Sequence, residues 1–291
     1  MNPRAPALAL FLAHSAAAFA QSYDRPESVE YHPRLDRHLI SNVNGGNILA
    51  RAADGTLTLF TDAPSAPYGI ELLAGVLYVL DSGHLKGYDI DTAAPVVDFA
   101  IPGASFLNGI TSNGTNTLWV SDYTAKRIHR IDVTTPGSPS IVTTTTTVTT
   151  PNGLFYDAAN QRVLIATWNA NARIQSLDVS SIGPTPVDLI QTTLTSLDGI
   201  TLDCRGSIHV AAWSGCGTSG SPTGCVRRFD PPFSLSSPAQ VVANNLGSPA
   251  DIDFAWPLGH IAVPESGTAN TVSFAPTAQC TGSVFYSDFE R

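Results

Sequence analysis

Charge is scarce in this chain. Of its 291 residues 13% are Asp, Glu, Lys or Arg and 43% are hydrophobic, a balance that suits a large folded core and excludes a disordered chain. Basic residues are the scarcer sign, 15 Lys and Arg against 24 Asp and Glu. No basic patch is visible, so the electrostatic footprint that nucleic acid requires is missing. A cation or a neutral polar ligand fits the formal charge of -9 better. After the first twenty residues no stretch is long and apolar enough to span a membrane. Several catalytic signatures are also missing: there is no G-x-S-x-G, no P-loop, no G-x-G-x-x-G and no H-E-x-x-H. The histidines are scattered, and His84, His129 and His209 fall in or beside β-type runs, where a structural role is the simplest reading. Helical periodicity is absent throughout.

Cysteine is limited to Cys204, Cys216, Cys225 and Cys280. Their spacing does not resemble a zinc site, and no clustered histidine accompanies them. The start of the chain gives them a context. Arg4 precedes a mostly apolar run from Ala5 to Phe19, and Ala18-Phe19-Ala20 is a small-x-small cleavage site. Residues 1–20 therefore read as a secretory signal peptide cut after Ala20, with one domain over 21–291 and a C-terminal tail from about residue 277. The run is interrupted by His14 and Ser15 and is short for a membrane anchor. An even cysteine count in an exported chain points to disulfides. Cys216 and Cys225 bracket a Gly/Ser-rich loop that a bridge would pin, which leaves Cys204 for Cys280. The location implied is secreted or periplasmic, and the protein is expected to be a monomer.

What the chain has in abundance is turns and short β-type runs, with 23 Gly and 21 Pro. One phrase organises them. Its clearest copy is Pro151-Asn152-Gly153-Leu154, with close copies at Leu107-Asn108-Gly109-Ile110 and Leu197-Asp198-Gly199-Ile200. Looser copies are Pro67-Tyr68-Gly69-Ile70, Pro26-Glu27-Ser28-Val29 and Pro249-Ala250-Asp251-Ile252. The intervals are 41, 40, 44, 46 and 52 residues. Each phrase opens a first strand, followed by a more hydrophobic second strand (VLYVLDSG, TLWVSDY, VLIATWN), a third that often ends in Asp, and a weaker fourth. Four strands per unit at this period predict an all-β, six-bladed propeller with four antiparallel strands per blade. The threonine run from Thr143 reads as an exposed outer strand. The sixth unit lacks an obvious fourth strand; Ser283-Val284-Phe285-Tyr286 is the first candidate to supply it, and the segment from Gln21 to Pro26, which is short, is the second.

In a propeller the first strands line the central channel, so the variable phrase position forms a ring: Glu27, Tyr68, Asn108, Asn152, Asp198 and Ala250. Two carboxylates, two carboxamides and a phenol are hard oxygen donors suited to calcium, magnesium or manganese. The bland alternative is that Asn and Asp at strand starts only make turn-type hydrogen bonds. Asp81, Asp122 and Glu265, which close second strands, read first as turn acceptors and second as a rim to the channel mouth.

These runs, among them PESVEYHPRLDRHLISN, FLNGITSNGTNTLWVSDY, TPNGLFYDAANQRVLIATW and SLDGITLDCRGSIHVAAW, resemble the regucalcin/gluconolactonase family of six-bladed propellers over roughly residues 23–275. The resemblance implies one divalent cation on Glu27, Asn152 and Asp198, with calcium first and magnesium, manganese or zinc as the other candidates. It implies Asp198 as the base of lactone hydrolysis and Asn108 as a substrate contact, with Phe106 and Tyr68 beside it. Two departures stand out. The family's enzymes often follow the first Glu with Gly-Pro, where this chain has Ser28-Val29. They carry Arg at the place of Phe106, so a sugar acid lactone loses its polar anchor. The expectation is an exported hydrolase of a small lactone or related ester. The alternative is a non-catalytic propeller that binds a ligand or protein.

Overall fold

The computed structural model describes residues 21–181, 183–216, 223–277 and 280. The proposed signal peptide, the centre of the Cys216–Cys225 loop and the Ser283–Tyr286 strand candidate lie outside them.

Six antiparallel sheets form, and in each the strands hydrogen-bond in chain order. Five have four strands and the sixth has three. This is the six-bladed propeller expected from the phrase. The first strands are Pro26–His32, Pro67–Leu73, Leu107–Ser112, Pro151–Asp157, Thr195–Leu202 and Asp253–Ala255. The only helical pieces among the described residues are three short 3-10 turns, at Pro33–Leu35, Ala158–Asn160 and Trp256–Leu258. Each joins a first strand to its second. The threonine run lies on the outermost strand of blade 3, Ser140–Thr146, with exposed and half-buried residues alternating. That is the pattern of a pleated strand wet on one face.

The core is a stack of six interfaces between successive sheets. Leu80, Leu85 and Tyr78 of blade 2 pack on Leu107, Ile110 and Leu118 of blade 3. Trp119 and Ile128 meet Leu154 and Ile165 between blades 3 and 4. Blades 6 and 1 meet across a smaller layer, Val29 and Ile40 against Ala262 and Val272. The ring therefore closes at a seam with little apolar packing, and polar contacts supplement it. The Asp251 amide donates to the Glu27 carbonyl at 2.9 Å. Ser28 Oγ donates to Asp251 at 2.9 Å and the Tyr31 amide to Asp253 at 2.9 Å. The Arg25 amide reaches Asn270 Oδ1 at 2.8 Å.

Disulfides join Cys204 to Cys280 and Cys216 to Cys225, each with a Cα–Cα separation of 5.9 Å. The first anchors the end of the described chain to blade 5, against the apolar layer between blades 5 and 6. No helix among the described residues is long and apolar enough to cross a membrane.

Candidate functional site

The phrase does more than open a strand. In blades 1 to 5 the pairing of first and second strands slips at the phrase. In blade 4, for example, Pro151 pairs with Thr167 and Leu154 with Ile165, so the phrase strand carries one extra residue. A bulge of this kind bends the strand and re-aims its side chains. Here it turns the variable residue towards the axis. In blades 2 to 5 the residue after it is a glycine, which faces the next blade at a distance that admits no side chain. A Cβ built on Gly153 would lie 2.2 Å from the Asp198 carbonyl oxygen, and one on Gly109 2.3 Å from that of Asn152.

The second-strand carboxylates hold the approach to the phrase. Asp81 accepts from the Ser65 and Ala66 amides, both at 2.9 Å. Asp122 accepts from Ser105 at 2.8 Å and Phe106 at 3.0 Å. Glu265 accepts from Gly247 at 2.6 Å. Their turn-acceptor reading accounts for them. The three histidines make structural contacts too: His84 with Asp98, His129 with Thr144 and His209 with Asp203.

Four of the six variable residues meet at the axis. Glu27, Asn108, Asn152 and Asp198 are all buried. Asn108 hydrogen-bonds Glu27, whose carboxylate also accepts from Ser266 Oγ at 3.0 Å. Asn152 hydrogen-bonds Asp198 and donates to the Leu197 carbonyl at 3.3 Å. Burial pushes the Asp198 carboxyl well above its ordinary range, and the charges of Glu27 and Asp251 push it further. Glu27 is raised by burial as well, against the pull of Ser266 and Arg25. Tyr68 is half-buried at the edge of this group, where burial raises its phenol and Arg25 lowers it. Ala250 is buried and offers no donor atom.

Two acceptor oxygens in this group, Asn152 Oδ1 and Asp198 Oδ1, are buried with no hydrogen-bond partner. A buried polar atom left unpaired is costly. Two such oxygens beside two mutually repelling carboxylates are short of positive charge, and an oxygen-seeking divalent cation would supply it. Glu27, Asn152 and Asp198 therefore fit the ion that the family resemblance implies. Among the described residues no three His, Cys, Asp or Glu side chains gather in a metal-holding group. The set depends on its carboxamide.

Sequence reading missed two features. The first is a run of aromatic rings at the same mouth. Phe106 lies edge-on to Tyr68 at 4.8 Å between centroids and to Tyr123 at 5.5 Å. Tyr123 meets Trp168 at 5.9 Å, and Trp168 meets Trp213 at 5.8 Å. The second lies deeper in the channel. Glu30, Glu71 and Asp253 stand three residues after the variable position in blades 1, 2 and 6, and Asp251 lies between the two levels. Burial pushes Glu71 and Asp251 up to about 8 and Asp253 to about 6. Each of the three outer acids accepts from an amide of the next blade: Glu30 from Leu72, Glu71 from Ser112 and Asp253 from Tyr31. They tie blades together. A cavity of about 680 Å³ opens beneath them at the opposite mouth, lined by Tyr31, Tyr156, Asn160 and Trp256 among others. It holds neither the phrase ring nor the two orphan oxygens.

No family model matches the chain, and no curated protein matches it by sequence. Solved structures do match by shape. A gluconolactonase from Xanthomonas campestris superposes with a TM-score of 0.68 at 14% identity, covering 88% of this chain and 86% of that one. The calcium-binding protein regucalcin from Agrobacterium tumefaciens gives 0.63 at 15% identity, over 84% and 83%. Virginiamycin B lyase from Staphylococcus aureus gives 0.58 at 13% identity, over 86% and 84%. The phrase, the sheets and these likenesses converge on one conclusion: the chain has the six-bladed propeller fold that gluconolactonase and regucalcin also have.

Proposed function

We propose that the protein is an exported hydrolase that opens a lactone or a related ester at the phrase ring, with a divalent cation held by Glu27, Asn152 and Asp198. The observation that carries this reading is the pair of orphan oxygens, Asn152 Oδ1 and Asp198 Oδ1, beside Glu27. Bound there, the cation supplies Lewis-acid polarisation of the ester carbonyl and a more acidic water. The chain's own residues do the rest. Asp198 takes a proton from the attacking water. Water oxygen adds to the carbonyl carbon, the ring C–O bond breaks, and the departing alkoxide takes up a proton to give the hydroxy acid. Asn108, fixed by its bond to Glu27, orients the substrate, and Tyr68 and Phe106 border it. Phe106 in place of an arginine favours a less polar substrate than a sugar acid lactone.

The test pairs calorimetric titration of calcium and manganese into the mature protein with a pH-stat screen of lactones. Tight binding with hydrolysis, both lost in Asp198→Asn, is the expected result. Binding without turnover on any lactone supports the alternative of a non-catalytic binding module. No binding of either ion overturns the metal site.

A further inference from the structure

The aromatic run at the mouth has a rule behind it. In each blade one second-strand residue pairs with, or bridges to, the first residue of the phrase: Asn42, Asp81, Asp122, Thr167, Ala212 and Glu265. The next residue in each blade forms a second ring outside the phrase ring: Val43, Ser82, Tyr123, Trp168, Trp213 and Ser266. Ser266 hydrogen-bonds Glu27, so this outer ring borders the phrase ring directly. Three successive blades place a large aromatic there and the other three place valine or serine. Phe106 and Tyr68 extend the aromatic side to blade 2. The result is a continuous arc of five rings over blades 2 to 5, facing a low side over blades 6 and 1.

Three properties separate this arc from core. Every ring in it is only half-buried, whereas Trp119, which packs between blades, is 3% exposed. The contacts within it are edge-on or tilted, with interplanar angles of 59° to 85°, so the rings do not cover one another's faces and can take a further flat partner. The arc also reaches the polar group, because the Asp198 charge acts on the Tyr123 phenol. The cation that the site carboxylates feel is Arg25, which stands in blade 1 and already faces two acids.

From this arrangement we infer that the substrate carries an uncharged aryl group next to its ester: an aryl-fused lactone or an aryl ester, with the ring seated against Tyr123, Trp168 and Trp213 and the carbonyl directed to Asp198. This rests on the hydrolase reading and narrows its substrate class. Polyhydroxylated lactones need several hydrogen-bond partners around the ring, and the arc supplies aromatic faces instead.

Two measurements test it separately from hydrolysis as such. In the first, the mature protein is titrated with chroman and with tetrahydropyran, the ether analogues of an aryl-fused and a plain six-membered lactone, and tryptophan emission is followed. Chroman is expected to quench at least tenfold lower concentration, and Trp168→Leu to remove most of that response. Equal response to both ethers, or a chroman response untouched by Trp168→Leu, overturns the inference. In the second, kcat/KM is compared for 3,4-dihydrocoumarin and δ-valerolactone. The aryl-fused lactone is expected to lead by about tenfold or more, and Trp168→Leu to reduce that ratio by a similar factor. A ratio near one, or a preference for δ-gluconolactone, overturns the aryl assignment while leaving the hydrolase standing. Chroman binding with no turnover of any lactone instead overturns the hydrolase and retains the arc as a binding site for aryl groups.

Discussion

Gly153→Ala puts one methyl group where two blades touch. The added Cβ would lie 2.2 Å from the Asp198 carbonyl oxygen, 3.0 Å from the Gly199 Cα and 3.2 Å from the Asp198 carbonyl carbon. All three are backbone atoms, and ordinary contact begins near 3.4 Å, so relief requires blades 4 and 5 to part by roughly 1 Å, a backbone shift of the kind that overpacking forces. Overpacking of this sort costs about 1–3 kcal/mol. The displacement also carries the Asp198 backbone away from Asn152. A misplacement of about 1 Å at a preorganised site costs on the order of 100-fold in function. The assay is urea denaturation alongside calcium titration, with Gly137→Ala as control, since a Cβ there meets nothing within 4 Å. The expected result is a lower midpoint and weakened calcium binding in Gly153→Ala, with Gly137→Ala unchanged in both. A Gly153→Ala protein that melts and binds like the parent would refute the claim that the ring is held together by this close approach.

Other outcomes follow from the same geometry. Glu71 is pushed up to about 8 from an ordinary 4.5, chiefly by burial, so its folded-state stabilisation is complete below about pH 4.5 and is lost as pH rises through about 8. In EDTA, stability should fall with rising pH across that window, by up to about 1.4 kcal/mol per pH unit for this one group, and Glu71→Gln should flatten the profile; an unchanged slope counts against the shift. Glu30, Asp251 and Asp253 share its surroundings and add to the parent slope, so the comparison is variant against parent. Removing Cys204–Cys280 should cost more than removing Cys216–Cys225. The sequence separations of 76 and 9 set a difference of about 2 kcal/mol in the chain-entropy account, and thermal melts of Cys280→Ser and Cys216→Ser will decide it. Ser266→Ala removes a hydroxyl from Glu27 and should raise the Glu27 pKa and weaken calcium binding a few-fold without altering blade number or secondary structure by circular dichroism.

The fold was legible because it is written six times. In blades 1 to 5 the phrase lies at the start of the first strand and the bulge recurs at the same residues, whereas in blade 6 the strand begins just past the phrase, at Asp253. The convergence of Glu27, Asn108, Asn152 and Asp198 was legible for the same reason, since one repeat position maps to one ring. The aromatic arc escaped because it sits at a different repeat position. TLWVSDY, VLIATWN and SIHVAAW each end on or near its residue, and stacking the six second strands by their phrase partners would have exposed it. Glu30, Glu71 and Asp253 escaped similarly, three positions past the residue used for alignment. Contacts between blade 6 and blade 1 depend on how a twisted ring meets itself, which no single repeat encodes. The seam bonds of Ser28 to Asp251 and Tyr31 to Asp253 belong to that class.

The order in which the chain emerges gives that seam a kinetic meaning. Glu27 belongs to the first blade made and Asp198 to the fifth, and the two are neighbours only after the last blade has docked on the first. An unfinished ring holds Asn152 and Asp198 together but leaves Glu27 on the far side of a gap. A divalent ion at this place would therefore bind the finished ring in preference to every shorter intermediate. At a free concentration 100 times its dissociation constant it would favour the closed state by about 2.7 kcal/mol, acting as a latch on the last and least apolar of the six interfaces.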